Sequence, residues 1–148
     1  MPHFTLNLDA RGPIVNAAVM VSEGRRAALS AEKKQIPAPR TVRALRDTGA
    51  SFTSVEPDVI AALGLTPTGT VDIVTPSTGK DVHTTSTYDV DLMIGAGPNE
   101  IPLVIRNLRI ATAELFLKQG IHALIGRDVL QRCVLIYNGS TNSFSLCF

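Results

Sequence analysis

A succession of short strand-like segments, each closed off by turn-forming residues, is what most restricts the fold of this chain. "FTLNL" (4–8) alternates with period two, and "IVNAAVMV" (14–21) is rich in β-branched and apolar residues, so both read as strands. "TVRALRD" (41–47) is a third, and "TVDIVTPSTGKDVHTTSTYDVDLMI" (70–94) reads as two strands around the turn "TPSTGK", a long hairpin with a mobile tip. "EIPLVIRNLRIAT" (100–112) adds one or two more, and "VLIYNGSTNSFSLCF" closes the chain as a hairpin with Asn-Gly at its turn. Helical signals are few. "TSVEPDVIAALGL" offers Thr53 or Ser54 as cap, Pro57 in the first turn, Val59, Ile60 and Leu63 on one face, and Gly64 as terminator. "ALIGRDVLQRC" (123–133) starts as an apolar strand, turns at Gly126 and continues with helical spacing. The pattern favours a closed or sandwiched all-β domain over residues 1–148, with one or two short helices.

Composition supports a folded core, since 45% of the 148 residues are hydrophobic and only 18% are charged. A formal net charge of +1 gives no reason to expect nucleic acid or a membrane as partner. Half of the 14 basic residues nevertheless fall between Arg25 and Arg46. The segment 22–40 reads as a long, basic, solvated surface loop, because Pro37 and Pro39 argue against regular structure and no aromatic residue accompanies the charge. Cys133 and Cys147 fit neither a disulfide framework nor a metal-ligand spacing, and His3, His83 and His122 form no local metal motif. No stretch reaches transmembrane length and the first residues lack a signal-peptide pattern, so a cytoplasmic protein is expected.

The segment that carries chemistry is "ALRDTGASFT" (44–53). Alternation puts Arg43, Leu45 and Asp47 on one face of the preceding strand and Val42, Ala44 and Arg46 on the other. Asp47 then stands at the strand's end, followed by Thr48, whose hydroxyl can bond backbone, and Gly49, which permits a tight turn. Water attack on an amide needs a base and also an acid, and two carboxylates held about 3 Å apart supply both because they share one proton. One such aspartate per chain therefore implies a symmetric dimer with Asp47 of each subunit on the two-fold axis. The same tetrapeptide also fits a plain turn in which Asp caps the backbone and Gly supplies positive φ.

"ALRDTGAS", a hairpin in the middle of the chain and "ALIGRDVL" near the end resemble, in order and spacing, the retropepsin-like aspartic proteases, in particular their single-domain bacterial members. The likeness spans residues 41–148 and implies a closed retropepsin-like barrel, a homodimer and an endopeptidase that uses neither metal nor cofactor. It implies that Asp47 is the catalytic aspartate, that Thr48 grips its symmetry mate, and that Gly49, Ala50 and Ser51 line the cleft floor. Pro76, Ser77, Thr78 and Gly79 would form the tip of a flap closing over an extended peptide, a form of strand addition. Leu124, Ile125 and Gly126 would pack beneath the aspartate loop, with Arg127 anchoring that loop or the subunit interface. Arg46 departs from the aliphatic residue usual before the aspartate, and Ser51 from the second aspartate of retroviral members, so Arg127 needs another partner. The N-terminal "FTLNL" fits equally an interface sheet with "SFSLCF" or a strand within one barrel. Two other functions remain open to the sequence: a catalytically silent dimeric module that binds peptide, with Arg46 holding both aspartates ionised, and a monomeric ligand-binding barrel.

Overall fold

The structure, a computed structural model, describes residues 1–74, 82–95, 101–115 and 120–148. In chain order its elements are β1 (His3–Asn7), β2 (Ile14–Val21), α1 (Glu23–Ala31), β3 (Arg40–Arg46), β4 (Ser54–Val55), α2 (Pro57–Ala62) and β5 (Gly69–Ile73). They continue as β6 (His83–Ile94), β7 (Leu103–Thr112), β8 (Ala123–Ile125), α3 (Arg127–Leu130), β9 (Val134–Asn138) and β10 (Ser143–Cys147). Hydrogen bonding runs in the order β2-β3-β8-β4-β7-β6-β5, and a further pairing of β2 with β6 closes six of these strands into a barrel. The expected all-β closed architecture is the observed one.

Alternation explains the barrel's inside. Along β2, Val15, Ala17, Val19 and Val21 are buried, and along β3 Val42, Ala44 and Arg46 are. The apolar members meet Leu92, Ile94, Ile105, Ile110 and Ile125 in one core. Where β6 crosses β7 the register shifts between Val90 and Leu92, and Asn107 takes φ 51°. The bulge admits a buried carboxylate, for Asp91 accepts the Asn107 N–H at 2.8 Å and lies 3.6 Å from the Arg106 guanidinium.

A second, three-stranded antiparallel sheet, β1-β10-β9, covers one end of the barrel. "FTLNL" thus pairs with "SFSLCF", with Phe4 opposite Leu146, but within one chain and outside the barrel. The turn after β1 is pinned by Asp9, whose carboxylate accepts Arg11 N, Nε and Nη2 at 2.8–3.1 Å and Arg43 Nη2 at 3.3 Å. Hydrogen bonds from Arg11 hold the Asp9 carboxyl well below the usual carboxylate range.

Two expectations need correction. Residues 23–31 form helix α1 rather than part of a loop: Ser22 Oγ accepts the Arg25 N–H at 3.3 Å, Glu23 sits in the first turn, and Leu29 is the buried residue of the helix. Pro37 and Pro39 constrain only the stretch beyond the helix, and the irregular part is confined to residues 32–39. Secondly, α2 begins after Glu56, and neither Thr53 nor Ser54 caps it. Ser54 and Val55 are instead a strand, held between β7 and β8. Pro57 does open the helix, Val59, Ile60 and Leu63 are buried, and Gly64 ends it at φ +58°. The terminal hairpin has Asn138 and Gly139 at its turn as expected, and its loop spans residues 139–142, in which Asn138 Oδ1 accepts the N–H groups of Ser140 and Thr141.

Arg46 faces inward, as alternation requires, and is only 4% exposed. Its guanidinium lies 4.3 Å from the Phe144 ring centroid and 5.3 Å from that of Phe4, while Nε, Nη1 and Nη2 find no hydrogen-bond partner among the described residues. Burial pushes its pKa down to about 10. A buried cation without a counter-charge costs more than an apolar side chain of similar size. Arg46→Met is therefore expected to fold and to hold or raise the unfolding free energy by up to about 2 kcal/mol, read from denaturant melts. Above a pH of about 10 the unfolded chain keeps the Arg46 proton that the folded chain releases, so the natural protein gains stability as pH rises. Its deficit against Arg46→Met is expected to narrow there.

Candidate active site

β3 runs parallel to β8, with Ala44, Leu45 and Arg46 opposite Ala123, Leu124 and Ile125, and this pairing carries Asp47 to the barrel's end. The Asp47 N–H donates to Ile125 O at 3.0 Å, which extends the ladder by one bond into the turn. The turn then closes on itself: Ala50 N donates to Asp47 O at 3.2 Å, and Gly49 N donates to Asp47 Oδ1 at 2.8 Å. A Cβ on Gly49 would lie 3.0 Å from that same Oδ1, so the glycine lets the carboxylate fold over its own backbone. Asp47 is half-buried, and Thr48 and Gly49 are exposed beside it. The aspartate caps the turn with one oxygen and leaves the other, Oδ2, uncommitted to the loop's backbone.

The segment after β8 holds this loop from below. Arg127 N donates to Ala50 O at 2.9 Å, and its guanidinium reaches Thr48 O at 2.8 Å, Gly49 O at 3.2 Å and Ser51 Oγ at 2.7 Å. One residue therefore fixes four consecutive residues of the loop. Of the two roles expected for Arg127, the loop anchor is the one seen within the chain, and Ser51 supplies part of the partner it needed. Ile125 and Gly126 are buried and Leu124 half-buried, as their place beneath the loop requires. Gly126 is there for space, since a Cβ on it would come within 2.6 Å of Phe52 C and 2.7 Å of Phe52 O.

Two residues that sequence reasoning missed complete the arrangement. Thr53, 1% exposed, donates from N to Asp128 Oδ2 at 2.9 Å and from Oγ1 to Asp128 Oδ1 at 2.8 Å, and its hydroxyl accepts the Gly126 N–H at 3.1 Å. Asp128 also accepts its neighbour's N–H, from Val129 at 2.9 Å, in the first turn of α3. The position of Asp128 just inside a helix start was a visible capping signal; its partner 75 residues away was not.

The flap-tip residues Pro76, Ser77, Thr78 and Gly79 lie outside the described residues. The strands on either side, β5 and β6, pair antiparallel from Gly69 opposite Thr87 to Ile73 opposite His83, as a hairpin there requires. Among the described residues no group of three His, Cys, Asp or Glu side chains is placed to hold a metal ion. His122 instead accepts the Arg43 N–H at Nδ1, 3.3 Å away.

A sequence profile described as aspartyl protease matches residues 35–129, which include the Asp47 loop and the Arg127 segment. The chain belongs to the aspartyl protease family. Comparison with curated proteins found no match. Among solved structures, the crystal structure of a retropepsin-like aspartic protease from Rickettsia conorii superposes with a TM-score of 0.56 at 15% identity, over 99% of this chain and 90% of that one. The fold of this family member is thus retropepsin-like, as its motifs suggest.

The clamp makes its own test. Gly126→Ala is expected to destabilise the protein by about 2 kcal/mol or more, because the methyl meets main chain that cannot yield without moving the loop. Thr53→Val, which strands the Gly126 N–H and removes one of the two bonds that Asp128 Oδ1 accepts, is expected to cost about 2 kcal/mol. Both are read by thermal or denaturant unfolding, and a cost under about 0.5 kcal/mol for either would mean that the loop does not depend on these contacts.

Proposed function

We propose that the protein is a homodimeric aspartic endopeptidase in which the Asp47 carboxylates of two subunits share one proton and activate a water. The observation that carries this reading is the state of Asp47, half-buried at a strand end on a loop pinned by Arg127, with one carboxylate oxygen engaged by Gly49 N–H. One chain supplies one such group, and a general base without a general acid would leave the leaving nitrogen unprotonated. A second copy across a two-fold axis provides the missing partner.

In this reading the ionised Asp47 takes a proton from water as its oxygen attacks the scissile carbonyl carbon. The protonated Asp47 gives its proton to the carbonyl oxygen, which forms a tetrahedral diol. Collapse of the diol re-forms the carbonyl, and the proton taken from water passes to the departing nitrogen, breaking the C–N bond. The other proton returns from the diol hydroxyl to the dyad, so it is again singly protonated. On this reading Thr48, exposed beside Asp47, grips its symmetry mate, and the hairpin of β5 and β6 supplies the flap that covers an extended peptide. The carbonyls of Gly49 and Ala50 already accept bonds from Arg127, yet each keeps a second lone pair for a substrate N–H. Phe52, 40% exposed next to Ser51, offers an apolar surface beside the floor.

The silent binding module has no added support, since Arg46 turns its guanidinium to the opposite face of β3 from Asp47, between Phe4 and Phe144. Cleavage of a diverse peptide mixture, read by mass spectrometry across acidic to neutral pH, tests the proposal. Asp47→Asn is expected to lower turnover by at least about a thousandfold with the fold and dimer retained. Because one proton must be shared, the rate is expected to fall on both the acidic and the alkaline side of its optimum. Cuts that persist in the variant, or a monomer by sedimentation under conditions of full activity, would refute it.

A further inference from the structure

The buried Arg46 guanidinium has no role in the chemistry above and no acceptor for its donors among the described residues. Five N–H groups on one cation, enclosed by Phe4 and Phe144, make a site complementary to a compact anion with two oxygens. The nucleophilic side chain in the same cluster is Cys133. It is half-buried, packs against the core that contains Phe4 and Phe144, and donates only a long bond, 3.7 Å, to Val129 O. Cys133 directly precedes Val134, which opens β9 opposite Cys147, and Phe148, just beyond Cys147, meets the Phe4 ring edge-on at 6.0 Å. Cys147 pairs with Val134 at the start of β9, and both cysteines are free thiols.

We propose that Cys133 is an oxidation site, at which a peroxide converts the thiol to a sulfinate that forms an ion pair with Arg46. The first equivalent of hydrogen peroxide forms an S–O bond as its O–O bond breaks, giving a sulfenic acid and water. The second repeats the exchange, giving a sulfinic acid and water, and the acid releases its proton to solvent. Sulfur loses four electrons in total and the two peroxides gain them. The product carries one negative charge and two acceptor oxygens, which is what the unpaired guanidinium lacks. Burial pushes the Cys133 thiol up, while Arg46 and Arg132 act in the opposite direction. The reaction is accordingly slow at neutral pH and faster in mild alkali. The product ties the segment between α3 and β9 to the last residue of β3, which immediately precedes Asp47.

The test uses the full chain carrying Cys147→Ser, with and without Arg46→Met. After treatment with hydrogen peroxide at mildly alkaline pH, peptide mass spectrometry is expected to find two added oxygens on Cys133. The melting temperature is expected to rise by a few degrees when Arg46 is present and to fall when it is replaced. An equal shift in both proteins, or a Cys133 that stays reduced while methionines oxidise, would overturn the proposal. Cys133→Asp gives an independent arm that needs no oxidant. Its cost to the folding equilibrium constant is expected to be at least about tenfold smaller with Arg46 than with Arg46→Met. Costs within twofold of each other, or failure of Cys133→Asp to fold with Arg46 in place, would likewise overturn it.

Discussion

Everything at the Asp47 end of this barrel hangs on the short parallel ladder between β3 and β8, which lie side by side although they are far apart in the chain. Their ladder delivers Asp47 and Gly126 to the same level, and each leads at once into a turn that bonds the other. Asp47 N reaches Ile125 O, Arg127 N reaches Ala50 O, and Gly126 N reaches Thr53 Oγ1. The approach is so close that no side chain fits at Gly126. A parallel pair this short has little stability of its own. It persists because the side-chain bonds of Arg127 and Asp128 add to it from just beyond its end.

That arrangement also separates two demands that a carboxylate at a strand end faces. Rigidity comes from the loop's carbonyls, which are held by Arg127, and from the Thr53–Asp128 contact behind them. Access is left to the Asp47 carboxylate itself, which is half-buried beside the exposed Thr48 and Gly49 and has only one oxygen committed to the backbone. The bonds that stiffen the loop thus leave the second Asp47 oxygen out.

Arg46 is the residue least suited to its position. Strand alternation forces it inward once Asp47 faces the cleft, and the chain accommodates it with aromatic faces in place of a carboxylate. The two rings offset part of the cost of burying the charge, but its N–H donors have no acceptor among the described residues.

Much of the architecture is legible locally. Period-two alternation marks β2 and β3 and places Arg46 and Asp47 on opposite faces, and Pro57 and Gly64 bound α2. The "DTGA" and "GRD" segments mark the two pieces of chain that the fold joins through Arg127, although "DTGA" by itself fits a plain turn as well. Helix α1 is legible too, through Ser22 and Glu23, but the later prolines outweigh that signal when residues 22–40 are taken as one piece. The features hidden from the sequence are long-range. Ser54 and Val55 are too few to show a period and are strand only because β7 and β8 lie on either side. Thr53 reads as a helix cap until the fold brings Asp128 to it, and the closure of β2 on β6 leaves no local mark. Local pattern settles which segments extend, which face of each is apolar and which residues are chemically able. Only the folded chain decides which distant groups meet, because hydrogen bonds across the barrel depend on register, and register is set by all the strands together.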